Sequence, residues 1–155
     1  GKEALATLNI LRSVFERLPD TVIGCTDSIY GWPERRLHHT ASFVHALTGP
    51  TVQADRVHDQ ALSLVGEAVT DRRCQIDMHR ATRLVRDGHL TEGVTHAAAS
   101  LQSVPPQRQG TFVLALAAGV LDHVPVTATS HAAVLSYRDQ LGTAGHRRSA
   151  GATGA

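Results

Sequence analysis

Proline and glycine cut this chain into segments of helix length, and these breaks are the strongest constraint on its fold. Between them, apolar residues recur every three or four positions, the spacing of one helix face. Proline ends a helix because it lacks a backbone donor, and glycine tolerates the left-handed backbone that often follows one. The sequence therefore predicts an all-α chain of seven or eight helices. The main breaks fall at Pro19, Gly31-Trp32-Pro33, Gly49-Pro50, Gly88 and Pro105-Pro106.

Composition supports a helical core. Aromatic residues make up only 4% of the chain and apolar residues 42%, so alanine, leucine and valine must build the interior. No strict apolar–polar alternation of six residues is present, and strands are therefore not expected. Thr91 and Ser130 are the predicted N-caps of the sixth and eighth helices. We expect one helical domain over residues 1–141 and a disordered tail over residues 142–155, which have little to bury.

Charge and cysteine usage limit the partners and the compartment. The tail contains Arg147 and Arg148 and no acid, which leaves 13 basic and 14 acidic groups in residues 1–141, a balance of −1. Direct nucleic-acid contact normally needs a basic excess, so none is predicted. No apolar run approaches the roughly 20 residues of a membrane span. Two cysteines without a CxxC motif indicate reduced thiols in a cytoplasmic protein.

Two parts of the chain correspond when the turns at Gly49 and Gly88 are aligned, 39 residues apart. Small residues then match after each turn, Ala54 with Gly93 and Ala61 with Ser100, where they allow helices to pack closely. This pattern resembles a degenerate tetratricopeptide repeat, with Pro105 at the position of the closing proline. The resemblance implies antiparallel helical hairpins stacked as a short repeat array. The spacing exceeds the family's usual 34 residues, and Asp77 and Arg80 stand where the family prefers apolar side chains.

Longer phrases carry a second resemblance. Residues 72–109 (RRCQIDMHRATRLVRDGHLTEGVTHAAASLQSVPPQRQ) and 123–141 (HVPVTATSHAAVLSYRDQL) are similar to the C-terminal half of bacterial helix-turn-helix regulators of the XRE type. That half is a regulatory or sensing domain. The resemblance implies that a DNA-reading domain precedes Gly1.

The tetratricopeptide resemblance also implies a binding groove on the first helix of each hairpin. Such a groove would hold an extended peptide or a partner protein. Alternatively, the same positions are solvated or covered by a neighbouring subunit. The groove positions are Arg36, His39 and Phe43 in the first hairpin and Gln75, Met78, Thr82 and Arg86 in the second.

No recognisable catalytic or metal motif accompanies these features. The ten histidines include two pairs seven residues apart, His38 with His45 and His89 with His96, but no HExxH motif and no Cys/His cluster. The arginines on the fifth helix (Arg80, Arg83, Arg86) are best explained as a solvated face with ion pairs. We therefore expect a non-enzymatic sensing or interaction module without a cofactor or metal. The alternatives are a homodimerisation scaffold built on the seventh and eighth helices and a histidine-based metal-dependent enzyme.

Overall fold

The computed structural model describes residues 1–25 and 31–152. These residues form eight α-helices and no strand, which confirms the predicted all-α class. Three short 3-10 segments, at 106–108, 120–123 and 126–128, interrupt the second half of the chain. The helices are α1 (Lys2–Phe15), α2 (Asp20–Ile23), α3 (Glu34–Thr48), α4 (Thr51–Ser63), α5 (Thr70–Arg86), α6 (Leu90–Gln102), α7 (Thr111–Gly119) and α8 (Ala132–Ala152).

The helices divide between two compact units, Gly1–Gly66 and Glu67–Ala155. The sequence predicts one domain over residues 1–141, which stays a prediction; the contacts of the chain cluster into these two units. The boundary lies between the end of α4 and the start of α5, where Gly66, Glu67 and Ala68 are all exposed. A boundary this short resembles the turns inside each unit, so composition alone does not distinguish it.

In the first unit, α3 and α4 form a helical hairpin against which α1 packs. The N–H of Gly49 donates to the carbonyl of His45 (2.9 Å) at the end of α3. Pro50 then precedes the first turn of α4, a position where its missing donor costs nothing. The apolar cluster of this unit is small. Its buried members among the described residues are Leu8, Ala41 and Val57, with Leu11 and Val44 packed against them.

The second unit is built on a hairpin of α5 and α6 that turns at Gly88. Gly88 has a φ of +90°, a left-handed conformation that L side chains adopt only with strain. Two hydrogen bonds close the turn, from the N–H of Gly88 to the Val85 carbonyl (3.2 Å) and from that of His89 to the Leu84 carbonyl (2.8 Å). Both predicted hairpins are therefore present. That they stack as a repeat array stays a prediction.

Helices α7 and α8 complete the second unit. The α6 helix contacts α8, and α5 contacts α7. The buried Gln109 donates to the carbonyls of Leu101 (3.2 Å) and Val104 (2.9 Å), which supplies acceptor bonds near the C-terminus of α6. Carbonyls at a helix end lack intrahelical donors, and the Gln109 amide replaces the backbone N–H groups that a further helical turn would provide.

Three helix ends differ from those that the sequence predicts. The α6 helix begins at Leu90 with His89 as its N-cap residue, two residues earlier than the predicted cap Thr91. At the start of α8, the ring Nδ1 of His131 accepts from the N–H of Ala133 (3.3 Å), so His131 rather than Ser130 caps this helix. The α8 helix also continues to Ala152, through most of the predicted tail. Ala144 is buried against the core because it continues the inward stripe of Tyr137 by two helical turns.

Candidate functional site

The seven predicted groove positions divide between α3 and α5. On α3, Arg36, His39 and Phe43 are spaced by three and four residues, so they share one helix face. Phe43 is 43% exposed and His39 is half-buried. The guanidinium Nη1 of Arg36 donates to the Gly31 carbonyl at 2.7 Å. This hydrogen bond connects Arg36 to the segment that precedes α3, so one nitrogen of its guanidinium already has a partner within the first unit.

On α5, the middle of the predicted groove is core. Met78 is 1% exposed and Thr82 is 9% exposed, while Gln75 is half-buried and Arg86 is exposed. The Thr82 hydroxyl donates to the Met78 carbonyl (2.9 Å), and the Tyr137 hydroxyl lies 3.7 Å from the Met78 sulfur. Met78 and Thr82 are thus core residues and do not line an open groove. The reason is that α6, α7 and the 3-10 segment at 120–123 pack against α5, and Tyr137 of α8 lies against Met78.

The arginine row of α5 is less solvated than the sequence suggests. Arg83 is only 5% exposed, and its Nη1 forms an ion pair with the Oδ2 of Asp87 (3.0 Å) one turn later. A buried guanidinium requires such a partner because removing a lone charge from water is costly. The Oδ1 of Asp77 lies 3.5 Å from the Nε2 of His96 on α6, a contact that is an ion pair only when His96 is protonated. The first contact lies at the end of α5 and the second connects α5 with α6, so both are contacts within the second unit.

The histidines occupy several different structural positions. His38 pairs with Glu34 (3.3 Å) on α3, His131 caps α8, and His45, His58 and His79 are buried. Within residues 1–25 and 31–152, no group of three or more histidine, cysteine, aspartate or glutamate side chains could hold a metal ion.

Cys74 and Tyr137 are the strongly perturbed titratable groups of the second unit. Burial raises the pKa of the Cys74 thiol to about 12, with smaller contributions from Asp77 and Asp71. Burial also raises the pKa of the Tyr137 hydroxyl, which donates to the Ala117 carbonyl at 2.8 Å. A thiol that stays protonated is a weak nucleophile. The Cys74 site therefore has the character of a packed core.

An exposed apolar surface that was not among the predicted groove positions lies on α7. Residues 110–121 contain no charged side chain. Val113 and Ala117 of α7 point into the core, while Phe112, Ala115 and Ala118 are exposed on the opposite face. Phe112 alone is 57% exposed. We call these three residues, with the half-buried Leu116 and Gly119 beside them, the α7 surface. In the sequence, the α7 surface is indicated by a run of residues without charge. This run is longer than the apolar stripe that a single buried helix face needs.

Comparison with protein-family models, curated proteins and solved structures found no match to this chain. None of the helices in the described part of the chain is both long enough and apolar enough to span a membrane.

Proposed function

We propose that this chain is a non-enzymatic protein-interaction module and that the α7 surface is its contact site. The observation that carries the proposal is the exposure of an aromatic side chain within a charge-free helix face. Exposed apolar patches are common at protein–protein contact sites, and single exposed apolar residues are not informative by themselves. On α7 the exposed apolar residues follow one another at helical spacing, so a partner can cover them together.

The size of the α7 surface limits the kind of partner. Nine residues at 1.5 Å per residue make a helix about 13 Å long. A face of this length is too small to supply the roughly 800 Å² per partner of a standard stable interface by itself. It suits one amphipathic helix or apolar loop of another protein, with Phe112 as the anchor. Aromatic anchors often carry a large share of such binding energy.

The test compares what two matched variants bind. Ala115→Glu places a charge in the middle of the α7 surface, and Thr95→Glu places the same charge on an exposed position of α6. Immobilised wild type and both variants are incubated with extract of the native cells, and captured proteins are quantified by mass spectrometry. We expect a partner that is retained by wild type and Thr95→Glu and lost with Ala115→Glu. Identical captured sets for all three proteins would contradict the proposal.

Homodimerisation is the second candidate, and a feature of the same surface favours it. Phe112 lies at one end of α7, the small residues Ala118 and Gly119 lie at the other, and Ala115 lies between them. A two-fold axis at the middle of the helix would bring each Phe112 over the small residues of its partner. Light scattering separates this candidate from the first. A mass that doubles with concentration, and not in Ala115→Glu, supports dimerisation, while a monomer at all concentrations removes it.

The biological setting rests on the resemblance to XRE-type regulators. We propose that this module is the regulatory or sensing part of such a transcriptional regulator and acts in the cytoplasm, where its two free cysteines would stay reduced. The reading frame upstream of the Gly1 codon tests this setting. A helix-turn-helix coding segment there supports it, and an unrelated upstream domain contradicts it.

A further inference from the structure

His45 occupies an unusual position in the first unit. It lies near the end of α3 and is 2% exposed, and neither ring nitrogen has a hydrogen-bond partner among the described residues. The ring packs over Gly49, where a Cβ would come within 2.6 Å of its Nδ1. A buried polar group normally has a partner, so this ring carries an unfavourable desolvation term even when neutral.

The charged groups around His45 do not favour its protonated form. Burial, and then the positive charge of Arg12 on α1, lower the pKa of His45 below its ordinary value of 6.5. Helices α1 and α4 both pack against α3. The titratable residue on the buried face of α4 is His58. On α3 the carboxylate is that of Glu34, which pairs with His38 and lies about three helical turns before His45. No described carboxylate pairs with the His45 ring.

Protonation would add a second N–H donor and a full charge to this site. Neither would find an acceptor, and the new charge would repel Arg12 on α1. The α1 helix is held to α3 by a small apolar cluster around Leu8 and Ala41. We propose that protonation of His45 releases α1 from α3, which makes the first unit an acid-sensitive element of the chain.

The direction of the pH dependence follows from proton linkage. Because the folded pKa of His45 lies below 6.5, the unfolded first unit binds more protons than the folded one in the range between the two values. The stability that neutral His45 contributes is complete above pH 6.5. It is lost as the pH falls through 6.5 toward the folded pKa. In that window the opening equilibrium should rise by up to about tenfold per pH unit.

Hydrogen exchange of the full chain tests the proposal. Protection factors of α1 and α3 amides are measured from pH 7.5 to 5, with α6 amides of the second unit as the internal reference. We expect α1 protection to fall below pH 6.5, by up to about tenfold per pH unit, while α6 protection stays constant. The variant His45→Leu should remove the pH dependence. His58→Leu, which removes an equally buried histidine of the same unit, should keep it.

Other outcomes would overturn the proposal. These are constant α1 protection in the wild type, an unchanged fall in His45→Leu, or a loss of the pH dependence in His58→Leu instead. Far-UV circular dichroism at pH 7.5 checks that each variant folds. If His45→Leu does not fold, His45→Gln takes its place, since glutamine keeps polar atoms at the site but does not titrate.

Discussion

Gly93 lies where α6 approaches α5 too closely for any side chain. A Cβ at this position would come within 2.7 Å of the Val85 side chain, 2.9 Å of the Ala81 carbonyl oxygen and 3.0 Å of the Val85 nitrogen. Two of these atoms are backbone, so the helices would have to separate. We expect Gly93→Ala to lower the free energy of unfolding by about 1–3 kcal/mol, as overpacking usually does. Urea denaturation followed by circular dichroism measures this change.

Gly142 provides the matched control for Gly93. It also lies within a helix, but nothing approaches a Cβ built there within 4 Å. Gly142→Ala should therefore stabilise the chain by about 0.5–1 kcal/mol, because alanine restricts the unfolded chain more than glycine does. If Gly93→Ala stabilises the chain as Gly142→Ala does, α5 and α6 do not approach each other closely at Gly93.

The structural role of a single residue was predictable from the sequence where that role depends on the local backbone or on close packing of two helices. Gly88 at the turn and Gly93 at the helix contact were both expected, and the structure places both in those roles. Met78 and Thr82 were predicted as groove positions but are buried, and one group against Met78, the Tyr137 hydroxyl, comes from more than fifty positions later in the chain. No local pattern shows which helix will cover a given face. Arg36, His39 and Phe43 lie on one helix face because all three belong to α3.

At the scale of the helix, Tyr137 links α8 to the end of α7. Its hydroxyl bonds the Ala117 carbonyl (2.8 Å), one of the carbonyls left over where α7 ends at Gly119. Tyr137→Phe should cost about 1–3 kcal/mol because it leaves a buried acceptor without its bond. Thr143→Val removes an exposed hydroxyl from the same helix and should change stability by less than about 0.5 kcal/mol. Equal effects in urea denaturation would mean that the Tyr137 bond contributes nothing specific.

Helices themselves were well predicted, and their ends less so. Proline and glycine placed the boundaries of α3, α4 and α5 within a few residues, because these residues act through local backbone chemistry. The end of α8 was missed because Ala144 is a weak apolar signal in a glycine-rich segment. It is buried only because the core of the second unit extends that far. The exposed face of α7 was not predicted, because it depends on where the surrounding helices pack.

For the whole molecule, the two units differ in the size of their cores. The first has three buried residues in its apolar cluster among the residues described, and the second has fifteen. Because apolar burial is the main stabilising term, the first unit should unfold at lower denaturant concentration. Trp32, the single tryptophan, lies in the first unit and reports on it alone. We expect its fluorescence change to precede most of the loss of helical circular dichroism in urea. Coincident transitions would instead indicate one cooperative domain.

The division into two units was not visible in the sequence because both halves share composition and turn chemistry. The boundary between the two units becomes apparent only from the contacts between residues in the folded chain. The apolar spacing within α4 and within α5 does not indicate that the two helices belong to separate cores. The candidate site has the same limitation. A charge-free run predicts burial, and only the three-dimensional arrangement leaves Phe112 outside.

The most direct measurement of the central claim is site-specific photocrosslinking. A benzoylphenylalanine replaces Phe112 on the α7 surface, and in a control chain it replaces Thr95, an exposed residue of α6. Both chains are irradiated in extract of the native cells, and adducts are identified by mass spectrometry. If the α7 surface is a contact site, we expect a defined adduct, to another protein or to a second copy, at position 112 and not at position 95. Equal adducts at both positions, or none at 112, would contradict it.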